Sequence, residues 1–306
     1  MPFKITILGS SGAVPAYGRF PSAQFIEIKN HFLLIDCGEG AQVQMMKYDL
    51  HMHRLEHIFI SHLHGDHYLG LMGLLFTLHL NRRTDDLHLY SQKGLDEIIT
   101  TQLRYSKSSL NFKIIFHTLT PDAREIIFEN KHFSVETIPL SHKINCSGFL
   151  IREKPKPRRI DKERLPPGLL IQQLLDLKDG ADVVDAETGK ILYRNEDLTY
   201  PPRASRSYAY CSDTQYDENL IPQLQNIDVL YHEATFTNED ELKAVETMHS
   251  TGMQAARIAQ KANVQKLLIG HFSARYKDLS TLHQEAVTLF TNTYLAREGE
   301  TFVIQE

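Results

Sequence analysis

Four side chains of types that commonly bind metal ions fall within six residues of one another. They belong to the segment SHLHGDH, residues 61–67, which follows an apolar run that predicts a buried strand. Because alternate residues of an extended segment face the same way, His62 and His64 can bind one metal ion together. A turn after them would direct Asp66 and His67 toward a second position. The segment therefore predicts a metal site, since packing rarely explains so many polar side chains beside a buried strand.

The counts of histidine and cysteine favour a metal-binding protein of a reducing compartment. Of the 306 residues, 16 are histidine and three are cysteine. Cys37, Cys146 and Cys211 are far apart and odd in number, so neither a disulfide framework nor a CxxC zinc knuckle is predicted. The Gly-Ser-Ser-Gly turn at 9–12 is not followed by GK[ST], and no GxSxG elbow occurs, which argues against a nucleotide loop and a serine nucleophile.

Charge is distributed unevenly along the chain. The formal net charge is -5, yet residues 152–164 carry seven basic and three acidic side chains, hence +4, which leaves -9 for the rest. Such a basic segment suits contact with phosphate groups, although a charge run is also typical of a solvated linker. The start of the chain has no secretory pattern, and the longest apolar run, Leu69–Phe76, is far below the ~18 residues of a membrane span. We therefore expect no membrane association and a cytoplasmic location.

Strand patterns dominate the first sixty residues. They return after a helical pattern at 69–80, and a second helical pattern at 250–261 lies between the last two predicted strands. This mixture predicts a layered α/β fold. Ser250 is the expected N-cap of the second helix. Strands are predicted at 3–8, 24–28, 32–35, 57–60, 87–90, 113–118, 126–128, 133–138, 207–211, 229–231 and 267–269, and helices at 69–80 and 250–261.

The composition changes at Ile151, which indicates an insertion. Six prolines occur between residues 155 and 202. Leucine spacing after Pro167-Gly168 predicts a helix that ends at Gly180, and residues 187–190 resemble a hairpin turn. We therefore predict one catalytic domain over 1–306 that contains an inserted, protruding arm at 152–200.

HLHGDH matches the HxHxDH signature of the metallo-β-lactamase superfamily. In that superfamily the remaining ligands are a lone His, a bridging Asp and a distal His, each at a strand end. Residues 140–142, 211–214 and 269–272 supply His142, Asp213 and His271 in the same order. The resemblance implies a four-layer αβ/βα sandwich.

Further segments are similar to the ribonuclease Z family, which trims the 3′ ends of precursor tRNA. The basic insertion also falls where that family carries its tRNA-binding arm. The similar segments are TILGSSGAVP (6–15), DCGEGAQ (36–42), HEATF (232–236), HST (249–251) and HFSARY (271–276).

The resemblance implies two Zn²⁺ per subunit, with one carboxylate shared between them. Asp66 would also orient or deprotonate the attacking water. The implied ligands are His62, His64 and His142 for one zinc, Asp66, His67 and His271 for the other, and Asp213 as the bridge.

An acid is needed to protonate the leaving 3′ oxygen of the RNA. The resemblance assigns this role to His249, whose imidazole can be charged near neutral pH. Glu233 would hold the other ring nitrogen, as carboxylates commonly do. Without the resemblance, His249 would be interpreted as a surface histidine that precedes a helix, and His232 is expected only to support its strand.

Residues that could contact substrate occur at three places in the sequence. An arginine near a metal ligand offers a fork that matches two phosphate oxygens. The candidates are Ser10, Ser11 and Gly12 in the first loop, Ser273 and Arg275 beyond His271, and Arg158, Arg159, Pro167 and Gly168 in the arm.

Together these features imply a zinc-dependent endoribonuclease that removes the 3′ trailer from precursor tRNA after the discriminator nucleotide and leaves a 3′-hydroxyl. The resemblance further implies a homodimer in which the arm of one subunit holds tRNA for the other. Two alternatives stay open. A superfamily hydrolase of a small thioester or lactone would give the arm no role, and a non-catalytic RNA-binding protein would use its metals structurally.

Overall fold

The computed structural model describes residues 2–185 and 187–306. The chain forms two compact units. The larger consists of the residues up to 152 together with 207–305, and the smaller consists of 153–206 together with residue 306.

The first sheet of the larger unit has seven strands, which are, in order across the sheet, β18 (Thr301–Val303), β1 (Phe3–Gly9), β2 (Ala23–Ile28), β3 (His31–Cys37), β4 (Leu55–Phe59), β5 (Leu87–Ser91) and β6 (Ile114–Thr118). The strands from β18 to β3 pair antiparallel, with Ile5 opposite Ile26. From β3 to β6 the neighbours are parallel, so the carboxyl ends of β3, β4, β5 and β6 lie at one edge.

The second sheet also has seven strands, which are, in order, β17 (Thr293–Leu295), β16 (Lys266–Gly270), β15 (Val229–Glu233), β14 (Ser207–Cys211), β9 (Cys146–Glu153), β8 (Phe133–Leu140) and β7 (Ile126–Glu129). β14 to β17 are parallel, and β9 pairs antiparallel with β14. The parallel strands of this sheet likewise place their carboxyl ends at one edge, where ligands bind in open α/β sheets.

Each sheet buries one face against the other sheet and one against helices. Alternation along β3 shows this division, since Leu33 and Ile35 enter the core between the sheets, whereas Phe32 and Leu34 face the helical side. The chain therefore has the four layers of an αβ/βα sandwich, which confirms the predicted fold class. The helices of the first sheet are α1 (Ala41–Lys47), α3 (Leu71–Leu80) and α4 (Leu95–Tyr105), and those of the second are α8 (Gly252–Lys261) and α9 (Ser280–Leu289).

Two short helices, α2 (Gly65–Tyr68) and α7 (Glu241–Thr247), complete the larger unit together with three 3₁₀ helices, Met52–Arg54, Glu218–Gln223 and Asn238–Asp240. Across the described ranges, no helix is long and apolar enough to cross a membrane.

The predicted N-cap of α8 is wrong by one residue. Thr251 is the N-cap, and its hydroxyl accepts a hydrogen bond from the backbone N–H of Gln254 at 3.2 Å, while the Gln254 side chain accepts from the Thr251 N–H. This reciprocal pair is a capping box, which satisfies two helix-end donors at once. Ser250 instead donates its hydroxyl proton to the carbonyl of Thr214 at 2.7 Å.

A close approach between two glycines fixes α2 against the end of β3. The N–H of Gly70 donates to the carbonyl of Cys37 at 2.9 Å. A Cβ on Gly70 would lie 2.1 Å from the carbonyl oxygen of Gly38, and a Cβ on Gly38 would lie 2.4 Å from that of Asp66. Both positions therefore require glycine if the segment that carries Asp66 is to reach this place.

The smaller unit contains β10 (Arg159–Ile160), α5 (Ile171–Asp179), β11 (Val183–Val184), β12 (Ile191–Tyr193), α6 (Asn195–Leu198) and β13 (Thr199–Tyr200). β10 pairs with β13, and β11 pairs with β12 as expected for the hairpin. α5 ends at Gly180, whose φ of 96° lies in the left-handed region that favours glycine. Leu177, Val183 and Leu198 form a small buried cluster.

Candidate metal centre

The ligand-type residues of segment 61–67 lie where β4 is followed by α2. His64 is extended, with φ −76° and ψ 144°, and the helix begins at the next residue. The extended stretch brings His62 and His64 together, with Nε2 of His62 at 3.0 Å from Nδ1 of His64. The turn into α2 directs Asp66 and His67 away from this pair, toward a second position, as the spacing predicts.

Two further side chains complete a first group around His62 and His64. Nε2 of His142 lies 3.2 Å from Nδ1 of His64. Oδ2 of Asp213 lies 3.6 Å from Nε2 of His62 and 3.8 Å from Nε2 of His142. The four ligand atoms all lie within 4.8 Å of one another, and three imidazoles with one carboxylate are donors that zinc accepts.

Asp66, His67 and His271 form a second group. Oδ2 of Asp66 lies 3.4 Å from Nε2 of His67 and 3.3 Å from Nε2 of His271. Oδ1 of Asp213 lies 3.3 Å and 3.2 Å from the same two nitrogens. The two oxygens of Asp213 thus face different groups, which is the arrangement a bridging carboxylate needs.

The ring nitrogens that point away from the two groups are held by neighbouring atoms. Such contacts orient metal-binding histidines and select their tautomer. The pairs are Nδ1 of His67 with Oδ2 of Asp36 (2.8 Å), Nδ1 of His142 with the carbonyl oxygen of Met248 (3.0 Å), Nδ1 of His271 with Oγ1 of Thr235 (2.9 Å), and Nδ1 of His62 with Oγ of Ser61 (3.0 Å).

Charge differs between the two groups. Burial lowers the pKa of His62 well below its ordinary value and lowers the pKa of His64 and His142 in the same direction. These imidazoles are therefore neutral, the form that binds metal. Burial also acts to lower the pKa of His67, but the surrounding carboxylates, above all Asp213, raise it well above its ordinary value. The carboxylates of the second group thus favour a positive charge at this position.

A buried atom in the second group tests whether a metal ion fits. Nε2 of His67 is fully enclosed, and although carboxylate oxygens of Asp66 and Asp213 lie 3.4 and 3.3 Å away, it makes no well-aligned hydrogen bond among residues 2–185 and 187–306. An unsatisfied buried polar atom costs about 1–3 kcal/mol. A divalent cation would use this nitrogen and neutralise the carboxylates around it, so the donor set fits such an ion.

His249 and Glu233 form a hydrogen-bonded pair beside the two groups. Nδ1 of His249 lies 2.8 Å from Oε1 of Glu233, which is fully buried at the end of β15. The ring centre of His249 lies 5.4 Å from that of His271 and 5.1 Å from that of His142. Burial acts to lower the pKa of His249, but the Glu233 carboxylate raises it to about 9. At neutral pH this imidazole therefore carries a proton.

His232, by contrast, points into the protein. Its side chain is fully buried, and its Nδ1 donates to the carbonyl of Glu233 at 2.7 Å. This contact agrees with the expected supporting role.

The loop that contains Ser10, Ser11 and Gly12 lies against the second group. A Cβ on Gly12 would lie 2.7 Å from Cε1 of His271, and the N–H of Ala13 donates to Oδ2 of Asp66 at 2.7 Å. The two serine side chains are engaged within the fold, since Ser10 donates to Glu298 and Ser11 to the carbonyl of Val14. The loop therefore shapes the site through its backbone.

Ser273 and Arg275 follow Phe272, whose backbone is hydrogen-bonded to Ser10 and Gly12 of that loop. Ser273 lines a cavity of about 240 Å³ that also touches Gly12, His249 and His271. The guanidinium of Arg275 is paired with Asp240, with 3.1 Å between Nη1 and Oδ1, and covers the ring of Phe236. Arg275 would have to exchange this carboxylate for a phosphate in order to bind RNA.

The four arm residues lie in the smaller unit. Nε of Arg158 donates to Oγ1 of Thr199 at 2.8 Å, and Arg159 covers the ring of Tyr200. Pro167 and Gly168 are exposed, and Gly168 has a φ of 86°. Contact of these residues with RNA stays a prediction.

Asp36 is an important residue of the site that the sequence patterns did not identify. Besides binding His67, its carboxylate accepts hydrogen bonds from the hydroxyl of Tyr210 at 2.7 Å and from the N–H of Ser61 at 2.7 Å. It has a φ of 54° and is fully buried. The available signal was its position as the first residue of the DCGEGAQ segment.

Comparisons with known proteins agree with this arrangement. The family model described as anti-Pycsar protein Apyc1 matches residues 3–156, which include segment 61–67 and His142. Ribonuclease Z of Bacteroides fragilis is 44% identical over 97% of this chain and 97% of its own length. Ribonuclease Z of Cytophaga hutchinsonii is 45% identical over 100% and 97%.

Solved structures with a similar fold include a tRNase Z and a metallo-β-lactamase fold protein. Human tRNase Z, short form, aligns with a TM-score of 0.71 and 26% identity over 98% of both chains. The metallo-β-lactamase fold protein YhfI of Bacillus subtilis aligns with a TM-score of 0.69 and 20% identity over 99% of this chain and 100% of its own. Full-length similarity to curated relatives, joined to this fold, shows that the chain belongs to the ribonuclease Z family.

Proposed function

We propose that the chain is a metal-dependent endoribonuclease that removes the 3′ trailer from precursor tRNA, cutting after the discriminator nucleotide and leaving a 3′-hydroxyl. The observation that carries this proposal is the pair of ligand groups that share Asp213, with the hydrogen-bonded pair of His249 and Glu233 beside them. Membership of the ribonuclease Z family supplies the substrate, since the curated relatives carry that name.

The two ligand groups are proposed to hold the metal ions that act on the scissile phosphodiester. When divalent metal ions are bound there, they supply Lewis acidity that activates water and stabilises charge on the phosphate oxygens. Asp66 is proposed in two roles, as a ligand and as the carboxylate that orients or deprotonates the attacking water. The N–H of Ala13 holds Oδ2 of Asp66, so the position of that carboxylate depends on the first loop.

His249 is proposed to protonate the leaving group. Hydrolysis breaks the bond between phosphorus and the 3′ oxygen of the discriminator nucleotide, and that oxygen must gain a proton. Because Glu233 engages Nδ1, the proton is donated from Nε2 of His249. The tRNA then ends in a hydroxyl, and the trailer keeps the phosphate. Glu233 holds the ring in place and stabilises its charged form.

We propose two Zn²⁺ per subunit. Five histidines and two aspartates make a nitrogen-rich donor set, which suits zinc better than magnesium or calcium. The ligands of the first ion are His62, His64, His142 and Asp213, and those of the second are Asp66, His67, His271 and Asp213. Elemental analysis of purified protein tests both the metal and its number.

The smaller unit is proposed as the arm that holds tRNA. Its first segment, residues 153–164, has six basic and three acidic side chains, hence a net charge of +3, within a chain of net charge -5. Several of these cations are exposed, including Arg159, Lys162 and Arg164. Contact through phosphates would give affinity with little sequence information, which suits a substrate recognised by its shape.

A homodimer and a cytoplasmic location complete the proposal. The packed helices α1 and α3 expose apolar side chains, including Val43, Met46 and Leu80, at more than half of their area, and such a patch favours association with a second copy. All three cysteines are unpaired and buried, which suits a reducing compartment. Sedimentation analysis tests the oligomeric state.

The proposed activity is tested by comparing wild type with Asp213→Asn on precursor tRNA and on thioester and lactone substrates. We expect wild type to cleave the precursor and the variant to lose cleavage, because an amide cannot supply two anionic oxygens to the two groups. Turnover of a thioester or lactone without RNA cleavage would instead support a small-molecule hydrolase. Binding of tRNA by wild type without cleavage would support a non-catalytic RNA-binding protein.

A further inference from the structure

A second, larger cavity lies in the same unit, behind the first loop of the metal centre. Its volume is about 570 Å³, which lies in the range of pockets that hold small organic ligands. Its walls come from residues 10, 17–19, 47–48, 277–280, 283 and 295–298. None of the metal-ligand candidates lines it.

Cations and aromatic rings line this cavity together. Its basic side chains are those of Arg19, Lys47, Lys277 and Arg297, and its rings include those of Tyr17 and Tyr48. Tyr17 is 58% exposed, and the guanidinium of Arg19 lies over its ring at 5.3 Å from the centroid, so a base could stack only on the other face. Basic side chains for the backbone and aromatic rings for the bases are the combination used to bind single-stranded nucleic acid.

The two carboxylates of the lining are engaged elsewhere. Oε1 of Glu298 accepts hydrogen bonds of 3.0 Å from the N–H and hydroxyl of Ser10 and from the N–H of Phe20. Asp278 accepts from the N–H and hydroxyl of Ser280. Both stay charged, so the four cations of the lining exceed its carboxylates by two, and the cavity favours an anion.

Arg19 provides a donor that needs an acceptor. It is only 9% exposed, and its Nη2 donates to the carbonyl of Tyr276 at 2.7 Å. Its Nε is buried, and within the part of the chain that the structure describes this atom has no hydrogen-bond partner. Because this nitrogen is enclosed, a phosphate in the cavity would instead meet the outer part of the guanidinium, whose N–H donors suit phosphate oxygens.

One wall connects this cavity with the metal centre. Ser10 lines the cavity, and its carbonyl accepts a hydrogen bond from the N–H of Phe272 at 2.8 Å. Phe272 follows the ligand candidate His271, and Gly12 touches the ring of that histidine. The chain beyond Ser273 and Arg275 continues directly into Lys277 of the cavity. A strand of RNA that leaves the metal centre along this wall would reach the cavity.

We propose that this cavity binds the single-stranded trailer of the precursor, a few nucleotides 3′ of the scissile phosphate. The inference rests on the proposed function and adds a second contact site for the same substrate. A tRNA stem cannot be the occupant, because a double helix is too wide and keeps its bases paired inside. A single strand can place phosphates against Arg19 and Lys277 and a base on Tyr17.

The test uses precursors that differ only in trailer length, from one to about eight nucleotides. For wild type, we expect KM to fall by about fivefold or more once the trailer is long enough to reach the cavity. Lys277→Ala combined with Arg297→Ala should abolish this gain while changing KM for the one-nucleotide trailer by less than about twofold. The slope of log KM against log salt for the long trailer should decrease by about 0.7 for each phosphate that the variant no longer binds.

A matched control replaces two exposed lysines that lie outside the cavity, Lys113→Ala with Lys131→Ala, which removes the same charge. This control should keep the dependence on trailer length. The inference fails if wild type cleaves every precursor with the same KM, or if the cavity variant keeps the wild-type dependence. If wild type cleaves none of the precursors, the proposed function itself fails.

Discussion

His249 is the residue whose contribution can be separated from that of the metal ligands by the choice of substrate. His249→Ala should lower kcat on precursor tRNA by roughly 10²–10⁴-fold, because the 3′ oxygen then leaves without a positioned proton donor. On bis(p-nitrophenyl) phosphate the loss should be much smaller, since p-nitrophenolate leaves readily without a proton. The two kcat ratios check this prediction.

His53→Ala is a suitable control, because His53 is exposed and lies outside the site. It should leave both rates unchanged. Equal losses on the two substrates for His249→Ala would show that this histidine supports the metal centre and does not protonate the leaving group.

At the residue scale, the sequence identified the metal-ligand candidates that the fold brings together better than the side chains that orient them. The HLHGDH spacing and the order of His142, Asp213 and His271 name seven residues that the structure gathers into two groups. Asp36 and Thr235 were not predicted, because each reaches its histidine from a distant part of the chain. No local spacing reports such a contact.

The Gly38–Gly70 approach allows a test of how one element positions the second ligand group. Gly70→Ala would place its Cβ 2.1 Å from the carbonyl oxygen of Gly38, and neither backbone can yield without moving α2. We expect a loss of about 1–3 kcal/mol in unfolding free energy, as for other overpacked sites. Weaker metal binding should accompany it, because α2 carries Asp66 and His67.

Gly65→Ala is the matched control within the same segment. A Cβ there would meet only the flexible end of the Leu69 side chain, at 2.8 Å. Urea unfolding and metal titration should therefore show a small effect for Gly65→Ala and a large one for Gly70→Ala. Similar stabilities and affinities for the two variants would contradict this account of α2.

Elements with strong local patterns were predicted well, and those with weak ones were not. The strands that lead into the metal centre and the helices α3 and α8 agree with the apolar spacing. α1, α4 and α9 were missed. α1 is short and lies in a segment that otherwise favours strands, and nothing in its sequence marks the packing against α3 that stabilises it. The N-cap of α8 was misplaced for the same reason. Ser250 and Thr251 are both suitable N-cap residues, and only their hydrogen-bond partners in the structure distinguish them.

For the whole molecule, stability against acid should depend on a buried ion pair between the first and last parts of the smaller unit. Nη2 of Arg206 lies 2.6 Å from Oε1 of Glu153. Burial acts to raise the pKa of Glu153, but hydrogen bonds from Arg206 and Lys156 lower it from 4.5 to about 2. Because the folded pKa lies below the unfolded one, this stabilisation is complete above pH 4.5 and is lost as the pH falls toward 2.

Glu153→Gln should therefore reduce the unfolding free energy by roughly 3 kcal/mol at pH 7, since it removes the carboxylate charge that pairs with the buried Arg206. The difference from wild type should shrink as the pH falls from 4.5 toward 2. Urea unfolding across this range measures it, with the exposed Glu163→Gln as control. A difference that stays constant with pH would contradict the assigned pKa.

The arm has a separate role that can be tested through salt dependence. Lys162→Ala combined with Arg164→Ala removes two exposed cations of the smaller unit. We expect a higher KM for precursor tRNA and a shallower dependence of log KM on log salt, with a change of about 1 for each phosphate that the arm no longer binds. Hydrolysis of bis(p-nitrophenyl) phosphate should not change. An unaltered salt dependence would show that these cations do not bind tRNA.

The overall architecture followed from the sequence because many weak signals agreed. Strand and helix patterns favoured an α/β fold, and the resemblance to the metallo-β-lactamase superfamily implied the αβ/βα sandwich that the structure shows. Inside residues 153–206 only the helix and the hairpin were predicted. The pairing of β10 with β13 involves two residues on each side that are forty positions apart, and periodicity cannot detect such a short ladder.

The central claim is metal-dependent cleavage of precursor tRNA at one position, and the most direct test is to map the product ends. A precursor with a 3′ trailer is incubated with purified protein, with protein treated with a chelator, and with treated protein to which Zn²⁺ has been restored. We predict one cut after the discriminator nucleotide, a 3′-hydroxyl on the tRNA, loss of the cut with chelator and its recovery with Zn²⁺. Cleavage that is insensitive to the chelator, or no cut near the acceptor stem, would contradict the account.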